Sequence, residues 1–343
     1  MCPAEVYSPE IGNVWAVDTA GGFMYSDELS NTLRTDMQPM MRYRQFCDAT
    51  DASSKAKHAG DKYHWNIYSD VETQGGVLTT SSGGSVGIEN TPMPETKFAI
   101  SQGTLTMVES GNSVPYSGML DDMSLHPVKQ IIHKALKNDA NKAMEALAHG
   151  QFDATLLVVG PAGAAGDSAT QIEVSVTGEA GLVATDNDAA MTDDHVKAII
   201  LEMKERNIPA FDGSNYMCIG RPKSFEQFRI DLEAKSIYVD MGFGMMLNGE
   251  IGRSYDGCRF FEQTTIINAG WNKLKSDECY FFGEDTVMEG IIIPEEIRGK
   301  IPGDYGRSKG VAWYAINGFG IVHNVAGAVQ NRVVKWGSRE ASA

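Results

Sequence analysis

The stretch of this sequence most like a cofactor site is Leu156 to Gly166, LLVVGPAGAAG. Gly160, Gly163 and Gly166 follow an apolar run, as glycines do where a strand turns into a phosphate-binding helix. That chemistry needs a helix N-terminus directly after the glycines, so that backbone N–H groups and the helix dipole face the pyrophosphate. Here DSATQIEVSV follows, which reads as a polar loop and then a strand. The spacing is GxxGxxG rather than GxGxxG. A glycine-rich turn is the better reading, and a nucleotide-binding enzyme built on Gly160–Gly166 stands as an alternative.

Other chemistry is thinner. There is no GxxxxGK[ST] phosphate loop, no HExxH and no GxSxG. The seven histidines show no paired ligand spacing. His126 and His133 are seven apart, but His126 precedes Pro127 at a helix end. The adjacent carboxylates Asp121/Asp122 and Asp193/Asp194 lie near helix starts, where negative charge suits the dipole. Cys2, Cys47, Cys218, Cys258 and Cys279 are odd in number, scattered and without a CxxC pair, which reads as free thiols in a reducing compartment. The sequence thus nominates no catalytic, cofactor-binding or metal-binding residue, and the expectation is a protein that is not an enzyme and carries no cofactor.

The elements that would position any site come next. The chain has 343 residues, enough for one elaborate domain or two lobes, and 42% hydrophobic residues supply a sizeable core. The formal net charge is -16, with a pI of about 4.8. Gripping a phosphate backbone requires an excess of Lys and Arg, so tight nucleic-acid binding over most of the surface is excluded. The first residues lack a basic region followed by an apolar stretch, and no run approaches the roughly 18 apolar residues of a membrane span. The expectation is a chain made and used in a cytosol, with no membrane partner.

Residues 1 to about 60 have weak periodicity and read as an extended arm, with room for a short helix between Ser26 and Tyr43. Strand signals at Tyr63–Tyr68 and Phe98–Val108 flank Glu72–Pro94, which is dominated by Gly, Ser and Thr. A long polar loop on two strands is marginal by itself and makes sense against a neighbouring molecule. Val128, Ile132, Leu136, Ala140, Met144 and Leu147 then recur at helical spacing, with Pro127 at the start and Gly150 as the expected stop. That is about six turns, or ~34 Å. Its other face carries Lys129, Lys134, Lys137 and Lys142, read as solvated.

Ala154–Val159 is an apolar strand, Thr192 caps a helix, Tyr216–Ile219 is a strand, and Ser224 with Gln227 has the form of a capping box. Further strands are expected at Gly257–Ile267 and Glu278–Phe282. Asn317-Gly318 has the form of a hairpin turn between Val311–Ile316 and Gly320–Val322.

The order of these elements resembles the capsid fold of tailed double-stranded DNA phages, the Hong Kong type. A local match is more specific: Asn248, Gly249, Glu250, Ile251, Gly252, Gly257, Arg259, Phe260 and Glu262 are similar to the NGEIG…GVRFVET stretch of podovirus-type major capsid proteins. YMCIGRPKSFEQFRIDL upstream and ECYFFGEDTV downstream are similar to segments of the same family. Cys218-Ile219-Gly220-Arg221 departs from its usual apolar strand leading to His-Pro.

The resemblance implies an α+β capsid fold: an N-terminal arm (1–60), an extended two-stranded loop (61–108), a peripheral domain with a long spine helix (109–150), an α/β axial domain (151–285), and strands returning to the peripheral domain with a C-terminal tail (286–343). It implies a major capsid protein that self-assembles into hexamers and pentamers, forming an icosahedral shell around phage DNA. Its place would be the virion, after assembly in the host cytoplasm. The chain itself would be the main partner, with portal, scaffolding and decoration proteins as further ones, and the duplex would be enclosed without sequence-specific binding. A cellular compartment shell of the same fold is the other alternative.

Overall fold

The structure is a computed structural model, which describes residues 37–53, 60–71, 95–124, 126–162, 170–183, 189–236, 255–266, 278–323 and 331–337. The Gly/Ser/Thr-rich loop of residues 72–94, Gly163 and Gly166, the segment before Met37, and Asn248–Gly252 of the local match lie outside the described residues.

Two sheets share one long helix. The first has the order β1-β10-β11-β4. Its centre is an antiparallel pair, β10 (Val287–Gly299) and β11 (Ser308–Ile321). β4 (Val108–Ser117) flanks β11 antiparallel, and β1 (Asp48–Asp51) adds to β10 in parallel. β4 leads into the short helix α1 (Gly118–Met123), where the Ser117 hydroxyl accepts from the Leu120 N–H at 3.2 Å.

Helix α2 (Val128–Asp153) lies on this sheet. Val128, Ile132, Leu136, Ala140, Met144, Ala148 and Phe152 are buried at strict four-residue spacing, and they meet Val311, Trp313 and Ala315 of β11. The helix does not stop at Gly150. It runs on to Asp153 because Phe152 completes the buried row, and the end is then closed by the Ala154 N–H donating to the Gly150 carbonyl and the Thr155 N–H to the Phe152 carbonyl.

The second sheet has the order β6-β5-β12-β9-β7-β8. β5 (Val158–Pro161) pairs antiparallel with β6 (Ile172–Ser175) and parallel with β12 (Val333–Trp336). β9 (Cys279–Phe282) runs antiparallel to β12 and to β7 (Tyr216–Gly220), and β8 (Cys258–Glu262) closes the far edge parallel to β7. Val333–Trp336 falls among the residues expected to return to the peripheral layer. It lies instead inside this sheet, because Val333, Val334, Lys335 and Trp336 are all buried and need cover on both faces. Helices α3 (Asp193–Glu205) and α4 (Glu226–Ser236) cover one face through Val196, Ile199, Ile200, Met203 and Phe228. The other face, with Met217, Ile219, Tyr280 and Phe282, shares a core with α2.

Thr192 caps α3 as expected, and the partner in its capping box is His195: the hydroxyl accepts from the His195 N–H, and His195 Nδ1 takes the Thr192 N–H at 3.1 Å. The expected box at α4 is not formed. The Ser224 hydroxyl is buried without a hydrogen-bond partner among the described residues, since the chain turns through Ser224 and the helix begins only at Glu226.

β2 (Lys62–Val71) and β3 (Phe98–Thr106) form a separate two-stranded ribbon. Its base, Tyr63 and Leu105, packs with Ala52, Met107 and Ile316 on the side of the first sheet away from α2. This contact explains the Asn317-Gly318 pair. Those residues do not turn; β11 runs straight through them. A Cβ on Gly318 would stand 2.5 Å from the Thr106 carbonyl oxygen, so the glycine admits the close approach of the ribbon. The β10–β11 turn falls instead at Lys300–Arg307, where Asp304 and Tyr305 hold φ near +50° and Gly306 holds +92°.

Candidate assembly surfaces

The described end of the N-terminal arm is held by one buried carboxylate. Glu145 faces inward on α2 and is 2% exposed. Its Oε1 accepts the backbone N–H of Arg42 and, at 2.7 Å, of Tyr43, while Oε2 accepts that of Arg44 at 3.1 Å. A carboxylate accepting three N–H groups is a satisfied buried charge. Arg44 then reaches β10, pairing with Glu289 at 2.7 Å and Glu295 at 2.5 Å. Tyr43 packs against His149, Phe152 and Tyr280, and Phe46 against Phe211, Phe261 and Phe282. Residues 42–46 thus wedge between α2 and the second sheet, so the arm takes its core from elements far away in sequence.

A second polar cluster, with Lys335 and Glu278 buried and Asp153 and Glu179 at its exposed rim, joins the end of α2 to the second sheet. Lys335 pairs with Asp153 at 2.6 Å, Glu179 at 2.5 Å and Glu278 at 3.5 Å. The Tyr280 hydroxyl lies 3.1 Å from Asp153, 3.0 Å from Glu278 and 3.0 Å from His149 Nε2. Burial opposes the charge on Lys335, but its bonds to Asp153 and Glu179 outweigh that and raise its pKa. Burial likewise opposes the Asp153 carboxylate, and Lys335 outweighs it, so that pKa falls. For Glu278 burial wins and its pKa rises. With the ammonium held protonated and the Tyr280 phenol pushed well up by burial, the cluster is an electrostatic bridge between elements.

The ribbon is different: its far end has no cover from the described part of its own chain. One face starts apolar at the base with Tyr63 opposite Leu105 and Trp65 opposite Gly103. The Trp65 indole N–H reaches the Val322 carbonyl at 3.3 Å. The opposite face is polar near the base, with His64 opposite Thr104 and Asn66 opposite Gln102, and then becomes apolar where Tyr68 stands opposite Ile100. Tyr68 is 80% exposed, Ile100 63% and Phe98 59%. A two-stranded ribbon ending in bare aromatic and aliphatic side chains needs a surface to lie on.

The sequence candidates for chemistry fall elsewhere. Gly160 is an interior residue of β5, and the chain after it returns as antiparallel β6. The next described element is thus a strand paired with β5, and among the described residues no helix N-terminus follows Gly160 as a pyrophosphate site requires. Asp193 is buried at the start of α3, where it pairs with Lys197 at 2.8 Å and accepts from the Tyr255 hydroxyl at 3.2 Å. Asp121 on α1 pairs with Lys309 at 2.8 Å. His126 lies in the turn before α2, where its carbonyl accepts from the Ser124 hydroxyl, and His133 sits on α2. Among the described residues no group of His, Cys, Asp and Glu has metal-binding geometry. Among the described residues Cys47, Cys218, Cys258 and Cys279 form no disulfide. Burial pushes Cys218 and Cys258 well up, which keeps them unreactive. Sequence reasoning missed the buried residues Glu145 and Lys335. The only signal for Glu145 is a carboxylate beside the apolar stripe of α2.

No protein-family profile and no curated protein matches the sequence. Solved structures do. The chain is similar to the head structure of Helicobacter pylori bacteriophage KHP40, with a TM-score of 0.63 and 13% identity over 92% of this chain and 95% of that one. It is similar to the capsid of Ralstonia phage GP4 (TM-score 0.58, 13% identity, 100% of both chains). It is also similar to the capsid of the cyanophage P-SCSP1u (TM-score 0.59, 10% identity, 97% and 99% covered). The sheets, the shared long helix and the projecting ribbon of this chain are together the α+β fold of tailed-phage capsid proteins.

Proposed function

We propose that this chain is a major capsid protein, a structural subunit that assembles with copies of itself into an icosahedral shell around phage DNA. The observation that carries this reading is the ribbon β2–β3, whose Tyr68, Ile100 and Phe98 are bare in the isolated chain and would be covered by a neighbouring subunit. The capsid fold, matched over nearly the full length of chains taken from phage heads, supports it. In this reading residues 1–60 are the arm, 61–108 the extended loop, 109–150 the peripheral domain with α2 as its spine, and 151–285 the axial domain. Residues 286–343 run back through the peripheral sheet, with β12 contributing to the axial one. Hexamers and pentamers form the shell, which assembles in the host cytoplasm; portal, scaffolding and decoration proteins are its further partners. The role is structural rather than catalytic.

The test is electron microscopy of the purified protein, alone and with lysate from the native replication cycle. Closed uniform particles or capsomer rings are expected. A monodisperse monomer or dimer under both conditions overturns the proposal. Particles filled with enzymes, without genome or portal vertex, would favour the cellular compartment of the same fold.

A further inference from the structure

The first sheet separates two faces of different charge. On one side lies α2, whose buried residues recur every four positions, so places one or two further along turn outward. Lys129, Lys134, Lys137 and Lys142 occupy such places and all are exposed. Among the described residues no carboxylate pairs with Lys129, Lys137 or Lys142. The carboxylate within residues 128–142 is Asp139, and it is turned inward, accepting from the Trp313 indole N–H at 2.8 Å and the Asn112 amide at 2.9 Å. The other acids of α1 and α2 near the stripe are largely engaged: Glu145 is buried on the arm, Asp153 holds Lys335, and Asp121 holds Lys309. On the far side of the sheet, Tyr314 is surrounded by the exposed carboxylates Glu109 and Glu296 and one guanidinium, Arg298. The exposed surface of α2 is therefore basic, whereas the groups around Tyr314 on the far side are mostly acidic, in a chain whose net charge is -16.

Four lysines at steps of five, three and five residues span about 20 Å of helix axis. The complementary partner is a polyanion with closely repeated charge. Duplex DNA presents one negative charge per ~1.7 Å, so the same length offers on the order of a dozen phosphates. Lysine ammoniums are point charges without the fork that reads base edges, so such contacts hold any sequence. We propose that the lysine face of α2 is the surface that each subunit turns toward the enclosed duplex, where it contacts phosphates. This rests on the shell reading. It keeps the contact weak enough to be released, because at most about four phosphates are met per subunit.

The test uses DNA-filled particles carrying Lys137→Cys in a Cys2→Ser, Cys47→Ser background. A small maleimide should label intact particles, while a polyethylene-glycol maleimide too large to cross the shell should label only disrupted ones. Labelling of intact particles by the large reagent places the face outside and overturns the proposal; Lys129→Cys repeats the measurement if the first variant does not assemble. Independently, free subunits are titrated with a short duplex over a range of salt. Binding should show a log–log salt slope of up to about -3.6, lost when all four lysines become Gln and kept when Lys204, Lys223 and Lys300 do. An unchanged slope in the four-lysine variant also overturns it. If the natural chain forms no particles, the shell reading fails, and the titration still decides whether this face binds duplex.

Discussion

The Glu145 carboxylate on α2 accepts the backbone N–H of Tyr43 at 2.7 Å, across 102 residues of sequence. With the N–H groups of Arg42 and Arg44 on the same carboxylate, this fixes where the arm leaves the core.

Removing that carboxylate should release the arm. Glu145→Ala leaves three backbone donors without their acceptor and a buried void, and about 2–4 kcal/mol of stability should be lost. Glu145→Gln keeps an acceptor of the same size and should lose less. Thermal unfolding reads the order of the two. Limited trypsin digestion reads the location, because cleavage after Arg42 and Arg44 should speed up in Glu145→Ala well before the rest of the chain is cut. Equal digestion rates would show that the arm is held by its other contacts, the Tyr43 and Phe46 rings and the Arg44 ion pairs, rather than by Glu145.

Glycine contacts give a matched pair. A Cβ at Gly318 would meet the Thr106 carbonyl oxygen at 2.5 Å and Leu105 Cδ1 at 2.9 Å, whereas at Gly299 nothing lies within 4 Å. Gly318→Ala must push the ribbon off β11 and should cost about 1–3 kcal/mol by overpacking. Gly299→Ala, on the same sheet, should be neutral or slightly stabilising. Chemical denaturation of both variants checks this; equal midpoints would mean that the ribbon base yields freely.

Gly318 also marks the limit of what the sequence discloses. Local rules find α2, because an apolar residue every four positions is a property of one segment. They find the cap at Thr192 for the same reason. They misread Asn317-Gly318 as a turn because the signal for a turn and the signal for close backbone approach are the same residue. The turn itself falls at Lys300–Arg307, where Pro302-Gly303 and Gly306 carry a turn signal as local as the one at Asn317-Gly318, so local rules alone do not choose between the two places. Lys335 is unreadable for a related reason: a lysine in a Val-Val-Lys-Trp strand looks exposed on one face until Asp153, Glu179 and Glu278 arrive from three distant elements. The ribbon is legible because its defect, a glycine-rich tip on two strands, is visible without knowing any contact.

The Lys335 cluster should make stability depend on pH in two opposed ways. Asp153 has a depressed pKa, so its contribution is present above its unfolded pKa and is lost as pH falls through the folded one. Glu278 has a raised pKa, so its ionisation costs stability as pH rises from its unfolded value through the raised one. Asp153→Asn should therefore be destabilised near neutral pH and should approach the natural chain only in acid, as pH falls through the depressed Asp153 pKa. Glu278→Gln should recover stability near neutral pH and converge with the natural chain in acid. Urea midpoints across this range decide it, and parallel pH profiles for all three proteins would remove the cluster from the account.

The sharpest test of the shell reading separates folding from assembly at the ribbon's far end. Tyr68 and Ile100 face each other across β2 and β3 and are largely exposed, so changing both to Ser should alter subunit stability by no more than about 0.5 kcal/mol per site. If the face is covered by a neighbour, the same changes remove an apolar contact from every subunit interface, and the effect multiplies over the shell. Light scattering should then show a large fall in the yield and rate of particle formation while the unfolding temperature of the free subunit stays unchanged. Ser replacements at Asn66 and Gln102, on the same face but polar already, should change neither. Normal assembly of the Tyr68→Ser, Ile100→Ser chain would mean that the ribbon's apolar end is not an interface, and the observation that carries the proposed function would be withdrawn.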